Sequence, residues 1–338
     1  MNKTDTTDAS GFRKDLPRWR QLVSAQWLAG LTAGAAIVAP PAHDWRLIEI
    51  GFDGISAYLQ AHIPGARYVD TTAFECAPLW NKVEDSALVD LLLRCGIRHD
   101  TTVVLYARNP VAAARAAHLM LYAGVKDVRL LDGGYAAWTG LHLPLEQGLP
   151  PPLPAAQAFG IDFPAHPEYL LDMRQVRSRI GQPDVCLASI RTWAEFIGKT
   201  SGYSYIQEKG DIAGARWGRS GSDDDVNSMS AFHDAQGRMQ AASIISRMWE
   251  AEGIRRDQHA IFYCGTGWRA SLAFFYAWLM DWERISVFDG GWHEWSRDPS
   301  NPVVRRVNAS FERFRTTLED APLGSRVPCS LIPHPVRD

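Results

Sequence analysis

VVLYARNPVAAARAAHLMLYAGVKDVRLLDGGYAAW (103–138) and AIFYCGTGWRASLAFFYAWLMDWERISVFDGGWHEW (260–295) are two versions of one segment. Each reads as an apolar strand ending in Tyr, a short loop, an apolar helix, a turn and a second strand. Each then closes on Asp-Gly-Gly-aromatic-x-x-Trp. The offset is constant at 157 residues (106 to 263, and 132 to 289), with no gap over the whole stretch. Such a period marks an internal duplication.

Working outward, HIPGARYVD (62–70) is echoed by DIAGARWGRS (211–220), and a short strand precedes each of them, RLIEI (46–50) and VCLASI (185–190). Alternating strands and helices in both halves predict parallel α/β sheets covered on both faces. Between the halves, LPLEQGLPPPLPAAQ (143–157) is rich in proline and predicts an extended, semi-rigid connection. The expected organisation is a first domain over 20–142, a linker over 143–164, a second domain over 165–300 and a tail over 301–338. A length of 338 residues is too great for one ordinary core, which agrees with two domains.

Composition narrows the class. Apolar residues at 46% and charged residues at 22% fit a globular protein. A net charge of -3 gives no electrostatic reason to expect nucleic acid or an anionic membrane as partner. Basic FRKDLPRWR (12–20) followed by LVSAQWLAGLTAGAAIVAP (22–40) has the outline of an export signal, but polar residues dilute the apolar run. An opening helix of a domain is the expectation, and a membrane span is not. The five cysteines, Cys76, Cys95, Cys186, Cys264 and Cys329, are scattered and form no CxxC pair. They predict free thiols, a reducing cytoplasmic setting and no metal site. SDDDVNSMS (222–230) lacks the ordered ligands and glycine of a calcium loop and reads as solvated.

Chemistry concentrates in Cys264-Gly265-Thr266-Gly267-Trp268-Arg269. The cysteine ends an apolar strand, which in open parallel sheets is the edge where ligands bind. A glycine-rich turn running into a helix directs backbone N–H groups and the helix N-terminus at one point, where a thiolate or bound anion is stabilised. Arg269 either closes this cradle or offers its guanidinium fork to an oxyanion. The spacing is C-x4-R, one residue shorter than in cysteine phosphatases, and suits one additional sulfur atom better than a phosphoryl group. Of the tryptophans, Trp217, Trp268, Trp292 and Trp295 are placed where a cleft could be lined, although core packing is the commoner use of Trp. His293 reads as structural.

With these motifs assembled, the chain resembles the rhodanese superfamily of thiosulfate and mercaptopyruvate sulfurtransferases, over roughly 20–298 in two copies. The CGTGWR loop, GKTSGYSYI (198–206) and DGGWHEW resemble one subgroup of multi-domain thiosulfate sulfurtransferases. The resemblance implies two tandem rhodanese-like domains, each a mainly parallel five-stranded sheet with helices on both faces. It implies a cofactor-free double displacement through a Cys264 persulfide. The donor would be thiosulfate or mercaptopyruvate, and the acceptor cyanide, a thiol or a sulfur-carrier protein. Persulfide relay between proteins is the alternative, and a phosphatase on the same fold is disfavoured by the short loop. Cys264 takes the nucleophile position, Gly265, Thr266, Gly267 and Trp268 the cradle, and Arg191 the family's arginine facing the active site. Glu195 is expected in a salt bridge, and Ser189 stands where the family usually has Asp. Tyr203 and Lys209 are candidates for the cleft mouth. The first copy should be inactive, because Ala107 takes the cysteine position, Pro110 removes a backbone donor and Gly51 replaces the arginine.

Overall fold

The computed structural model describes residues 11–307; the tail beyond them, with Cys329, lies outside the described residues. The first half contains β1 (Leu22–Val23), α1 (Ala25–Thr32), β2 (Trp45–Gly51), α2 (Ser56–Gln60) and β3 (Arg67–Asp70). A small hairpin of β4 (Glu75–Cys76) and β5 (Asn81–Lys82) follows, then α3 (Asp85–Arg94), β6 (Thr102–Tyr106), α4 (Pro110–Ala123), β7 (Asp127–Leu131) and α5 (Gly134–Gly140). The second half contains β8 (Leu170–Leu171), α6 (Met173–Arg177), β9 (Val185–Ser189), α7 (Trp193–Ile197), β10 (Asp211–Ile212) and β11 (Arg216–Trp217). It ends with α8 (Ala242–Ala251), β12 (His259–Tyr263), α9 (Trp268–Leu279), β13 (Ile285–Phe288), α10 (Gly291–Trp295) and β14 (Val303–Val304).

Each half builds one five-stranded sheet with all neighbours parallel, in the orders β1-β7-β6-β2-β3 and β8-β13-β12-β9-β11. The second order is the first one repeated. Alternate residues of the central strands enter different cores: Ala260 and Phe262 join the cluster with α9, while Ile261 and Tyr263 join the cluster with α10. That alternation is the strand period read out on two covered faces.

The two halves share the larger of these cores. Helices α4 and α9, buried along nearly their whole lengths, lie against each other between the sheets. A helix apolar all round must be buried, and the run AAARAA (112–117) permits close approach. Asn109 accepts from the Val111 N–H at the start of α4, Pro110 occupies its first position, and Gly124 closes it at φ +106°.

The stretch 22–40 is divided: β1 pairs with β7 before α1 begins. No helix among the described residues is long and apolar enough to cross a membrane. Residues 143–157 hold no helix; His62 and Glu146 form an isolated bridge, and the Gly148 and Ala156 N–H groups donate to the Leu59 and Leu93 carbonyls.

Candidate active site

Strand β12 delivers Cys264 to the carboxyl edge of the second sheet, and α9 begins four residues later. The loop between them is curled and pinned. The Gly267 N–H donates to Cys264 Sγ at 3.2 Å, with Gly267 at φ +103°. Trp292 N–H donates to the Cys264 carbonyl at 2.8 Å, and His293 N–H to the Gly265 carbonyl at 3.0 Å. Thus the DGGWHEW segment fixes the loop from behind. A Cβ on Gly265 would lie 2.1 Å from the Tyr203 ring, so glycine there is what lets the ring close over the loop. Cys264 itself has no exposed surface.

Arg269 does not reach toward the cleft. Its fork is spent on Glu195, with contacts of 2.8 and 2.9 Å, and it also donates to Tyr203 Oη at 3.0 Å. Arg191 is equally buried, donating to the Gly210 carbonyl at 2.7 Å and to Glu195 at 3.3 Å, with Asp211 at 3.5 Å. Glu195 therefore bridges both guanidiniums, and it also accepts from the Thr192 N–H in a capping box that opens α7. Burial alone would push the Glu195 carboxyl up, but Arg269 and then Arg191 more than offset this, leaving it at about 2. Where the family's Asp is replaced by Ser189, Asp211 supplies the carboxylate: it accepts from Ser189 at 2.7 Å and from Tyr263 Oη.

In front of the loop lies a cleft of about 330 Å³ between the halves. Thr266, Trp268, Tyr203 and Tyr205 form its second-domain wall. The first domain contributes Phe52, Asp70, Glu75 and Trp80, among others. Tyr203 and Tyr205 both lie within electrostatic reach of Cys264, and burial raises both phenols.

Of the residues singled out in sequence, Cys264, Gly265, Thr266, Gly267, Trp268 and Tyr203 come together. Lys209 does not: it is exposed and outside the cleft lining, and its carbonyl accepts from Arg305 at 2.9 Å. Trp217, Trp292 and Trp295 are core residues, and only Trp268 of that group lines the cleft. His293 is buried, with Nε2 against the Pro78 carbonyl at 3.1 Å.

Sequence reading missed what the first domain supplies. Glu75 of β4 accepts from the Trp268 indole at 2.7 Å and from Arg115 of α4 at 2.8 Å. Arg115 continues to Asp289 at 2.5 Å, beside Gly267. Burial pushes the Glu75 carboxyl up to about 7 in spite of Arg115. A lone Arg in the apolar run AAARAA was the available signal, since burying that charge requires a partner. Among the described residues no group of three or more His, Cys, Asp or Glu is arranged to hold a metal ion.

The sequence profile of the rhodanese-like domain matches residues 42–141 and again 172–298. The chain belongs to the rhodanese family. This rhodanese is 54% identical to the thiosulfate sulfurtransferase YnjE of Escherichia coli, over 86% of its own length and 66% of that protein's. The crystal structure of YnjE superposes with a TM-score of 0.83, covering 69% of the solved chain. A putative thiosulfate sulfurtransferase of Mycobacterium tuberculosis, SseB, is 30% identical over 85% of this chain and 98% of its own. The anaerobic ergothioneine biosynthesis enzyme of Chlorobium limicola, solved with trimethyl histidine, has a TM-score of 0.82 at 36% identity, covering 86% and 71% of the two chains.

Proposed function

We propose that this rhodanese moves a sulfane sulfur from thiosulfate to a nucleophilic acceptor through a persulfide on Cys264. The observation that carries the reading is the Gly267 N–H donated to Cys264 Sγ in a loop closed by the backbone of Trp292 and His293. In the first step the Cys264 thiolate attacks the outer sulfur of the donor, and sulfite leaves with the electron pair of the broken S–S bond. In the second, the acceptor attacks the outer sulfur of the persulfide and the pair returns to Cys264. Gly265, Thr266, Gly267 and Trp268 hold the bound sulfur, and Tyr203 closes the loop's open side. Arg191 and Arg269 act as positioning residues that tie α7, the Gly210 carbonyl and α9 into one frame. The domain over 165–300 is catalytic. That over 20–142, joined through the linker 143–164, supplies the opposite wall of the cleft. A cytoplasmic setting, where thiols stay reduced, suits this chemistry.

A second reading is favoured by one observation: among the described residues, no Lys or Arg lines the cleft. A dianionic donor gains no side-chain cation there, so sulfur delivered from a partner protein's persulfide is the competing entry route. Mercaptopyruvate, also anionic, shares the first donor's difficulty.

Incubation with thiosulfate followed by mass spectrometry tests the main reading. The expected result is a gain of about 32 Da, one sulfur atom, on Cys264, absent in Cys264→Ser. A folded wild-type protein that takes up no sulfur from thiosulfate, yet loads from a desulfurase persulfide, would replace it with the relay.

A further inference from the structure

The geometry points to a cationic acceptor: a small nucleophile carrying an ammonium or quaternary ammonium group, received by the first-domain wall of the cleft. This rests on the Cys264 persulfide reading and names the substrate class of its second step.

Three features coincide in the cleft. The first is open space beside the nucleophile's loop, about 330 Å³, enough for a small organic molecule. The second is aromatic surface. Phe52, Trp80, Tyr205 and Trp268 line the space, and Phe52 remains 40% exposed with its ring edge-to-face on Trp268 at 5.5 Å. Ring faces attract cations, most strongly where water is excluded. The third is unbalanced negative charge. Asp53 and Asp70 line the same wall, and among the described residues neither forms an ion pair. Asp70 accepts from the Thr72 N–H and hydroxyl and from Tyr68 Oη, which hold it ionised without neutralising it.

The nearby guanidiniums are turned to carboxylates rather than into the cleft, although Arg115 Nη1, beside Gly267, and Arg269 Nε are buried without a partner. Arg115 lies behind Glu75 and is held by Glu75 and Asp289. Arg269 lies behind Tyr203 and is held by Glu195. Arg108 is held by Glu49 and two carbonyls. Acidic and aromatic walls oppose an incoming sulfonate and favour a cation. Once Cys264 carries an anionic persulfide, that preference grows. The chemistry is balanced: the acceptor's thiolate forms a bond to the outer persulfide sulfur, the S–S bond to Cys264 breaks, and its electron pair stays on Cys264 Sγ.

The experiment separates loading from discharge. Enzyme loaded with thiosulfate is freed of donor, and persulfide loss is followed by mass spectrometry with thiols of matched size. Thiocholine and cysteamine are the cations, 2-mercaptoethanol is neutral and 2-mercaptoethanesulfonate is the anion. Rates are compared per thiolate. The expected result is discharge by the cationic thiols at least about tenfold faster than by 2-mercaptoethanol, with the sulfonate slowest. Asp70→Asn, Asp53→Asn and Phe52→Ala should each narrow that ratio, and the exposed Asp53 and Phe52 keep the test open if Asp70→Asn does not fold. A wild-type ratio near one, or a ratio unmoved in Asp53→Asn and Phe52→Ala, overturns the proposal. Failure of thiosulfate to load Cys264 counts against the donor reading alone, because inorganic polysulfide then loads the enzyme for the same comparison. Failure to load from either overturns both.

Discussion

The turn after Tyr106 and the turn after Tyr263 share one scaffold and have opposite contents. Both are pinned by the same bond: Tyr135 N–H donates to the Ala107 carbonyl at 3.0 Å, as Trp292 N–H does to that of Cys264. In both, glycine is required where the second strand's turn passes beneath, since a Cβ on Gly134 or Gly291 would come within 2.6 Å of that carbonyl. The differences are at the reacting positions. Ala107 replaces the thiol, and Pro110 replaces Gly267, whose N–H reaches the sulfur. Arg108, in the place of Gly265, pairs with Glu49 and covers Tyr135 at 4.0 Å. Gly51 leaves room for the Tyr68 ring, which would lie 2.2 Å from a Cβ at that position and would have to move for an arginine. A space of only about 20 Å³ touches Ala107 itself, and a separate one of about 290 Å³ borders Arg108, Asn109, Pro110 and Val111. The two turns thus keep one backbone frame, and the first lacks both the thiol and the amide that faces it.

The largest expected effect in breaking this contrast is at Arg269. Arg269→Met leaves Glu195 buried with only Arg191 beside it, and urea unfolding should show a loss of about 3–5 kcal/mol. A change below about 1 kcal/mol would mean the paired charges do not hold the frame. Next comes acid stability. The Glu195 carboxyl lies near 2 in the folded protein against 4.5 for a free side chain, so its contribution is complete above about 4.5 and is lost as pH falls toward 2. Melting temperatures across that window should fall less steeply for Glu195→Gln than for wild type; equal slopes would reject the assignment. The smallest expected effect sharpens the comparison most. Ala107→Cys, made in the Cys264→Ser background, should take up essentially no sulfur from thiosulfate, because Pro110 offers no N–H. Adding Pro110→Gly should raise uptake, if only slightly. Efficient loading while Pro110 is still in place would show that the missing amide is not what separates the two turns.

Much of this was open to sequence reading. The constant 157-residue offset implied two similar sheets, and alternation of strand and helix implied parallel pairing, because both are local patterns repeated along the chain. The turn that sets the Gly267 N–H against Cys264 Sγ was legible for the same reason, since the thiol and its glycines are consecutive. Arg191, Glu195 and Arg269 were found as residues, but their geometry was not. A C-x4-R spacing is compatible with a guanidinium turned inward or outward, and Glu195, 74 residues before Arg269, turns it away from the cleft. Lys209 sits in a polar loop, where binding residues collect, yet that loop sends Tyr203 and Tyr205 to the cleft and Lys209 to solvent.

What the chain determined by itself was each unit's architecture, the place of the thiol and its absence from the first copy, all encoded by neighbours or by a fixed period. Only the tertiary structure decided which charges meet. Packing α4 on α9 carries Arg115 to Asp289 and brings Glu75 to the Trp268 indole. Contacts between residues 174 and 193 positions apart obey no sequence period, since they follow from how two finished cores share one buried face.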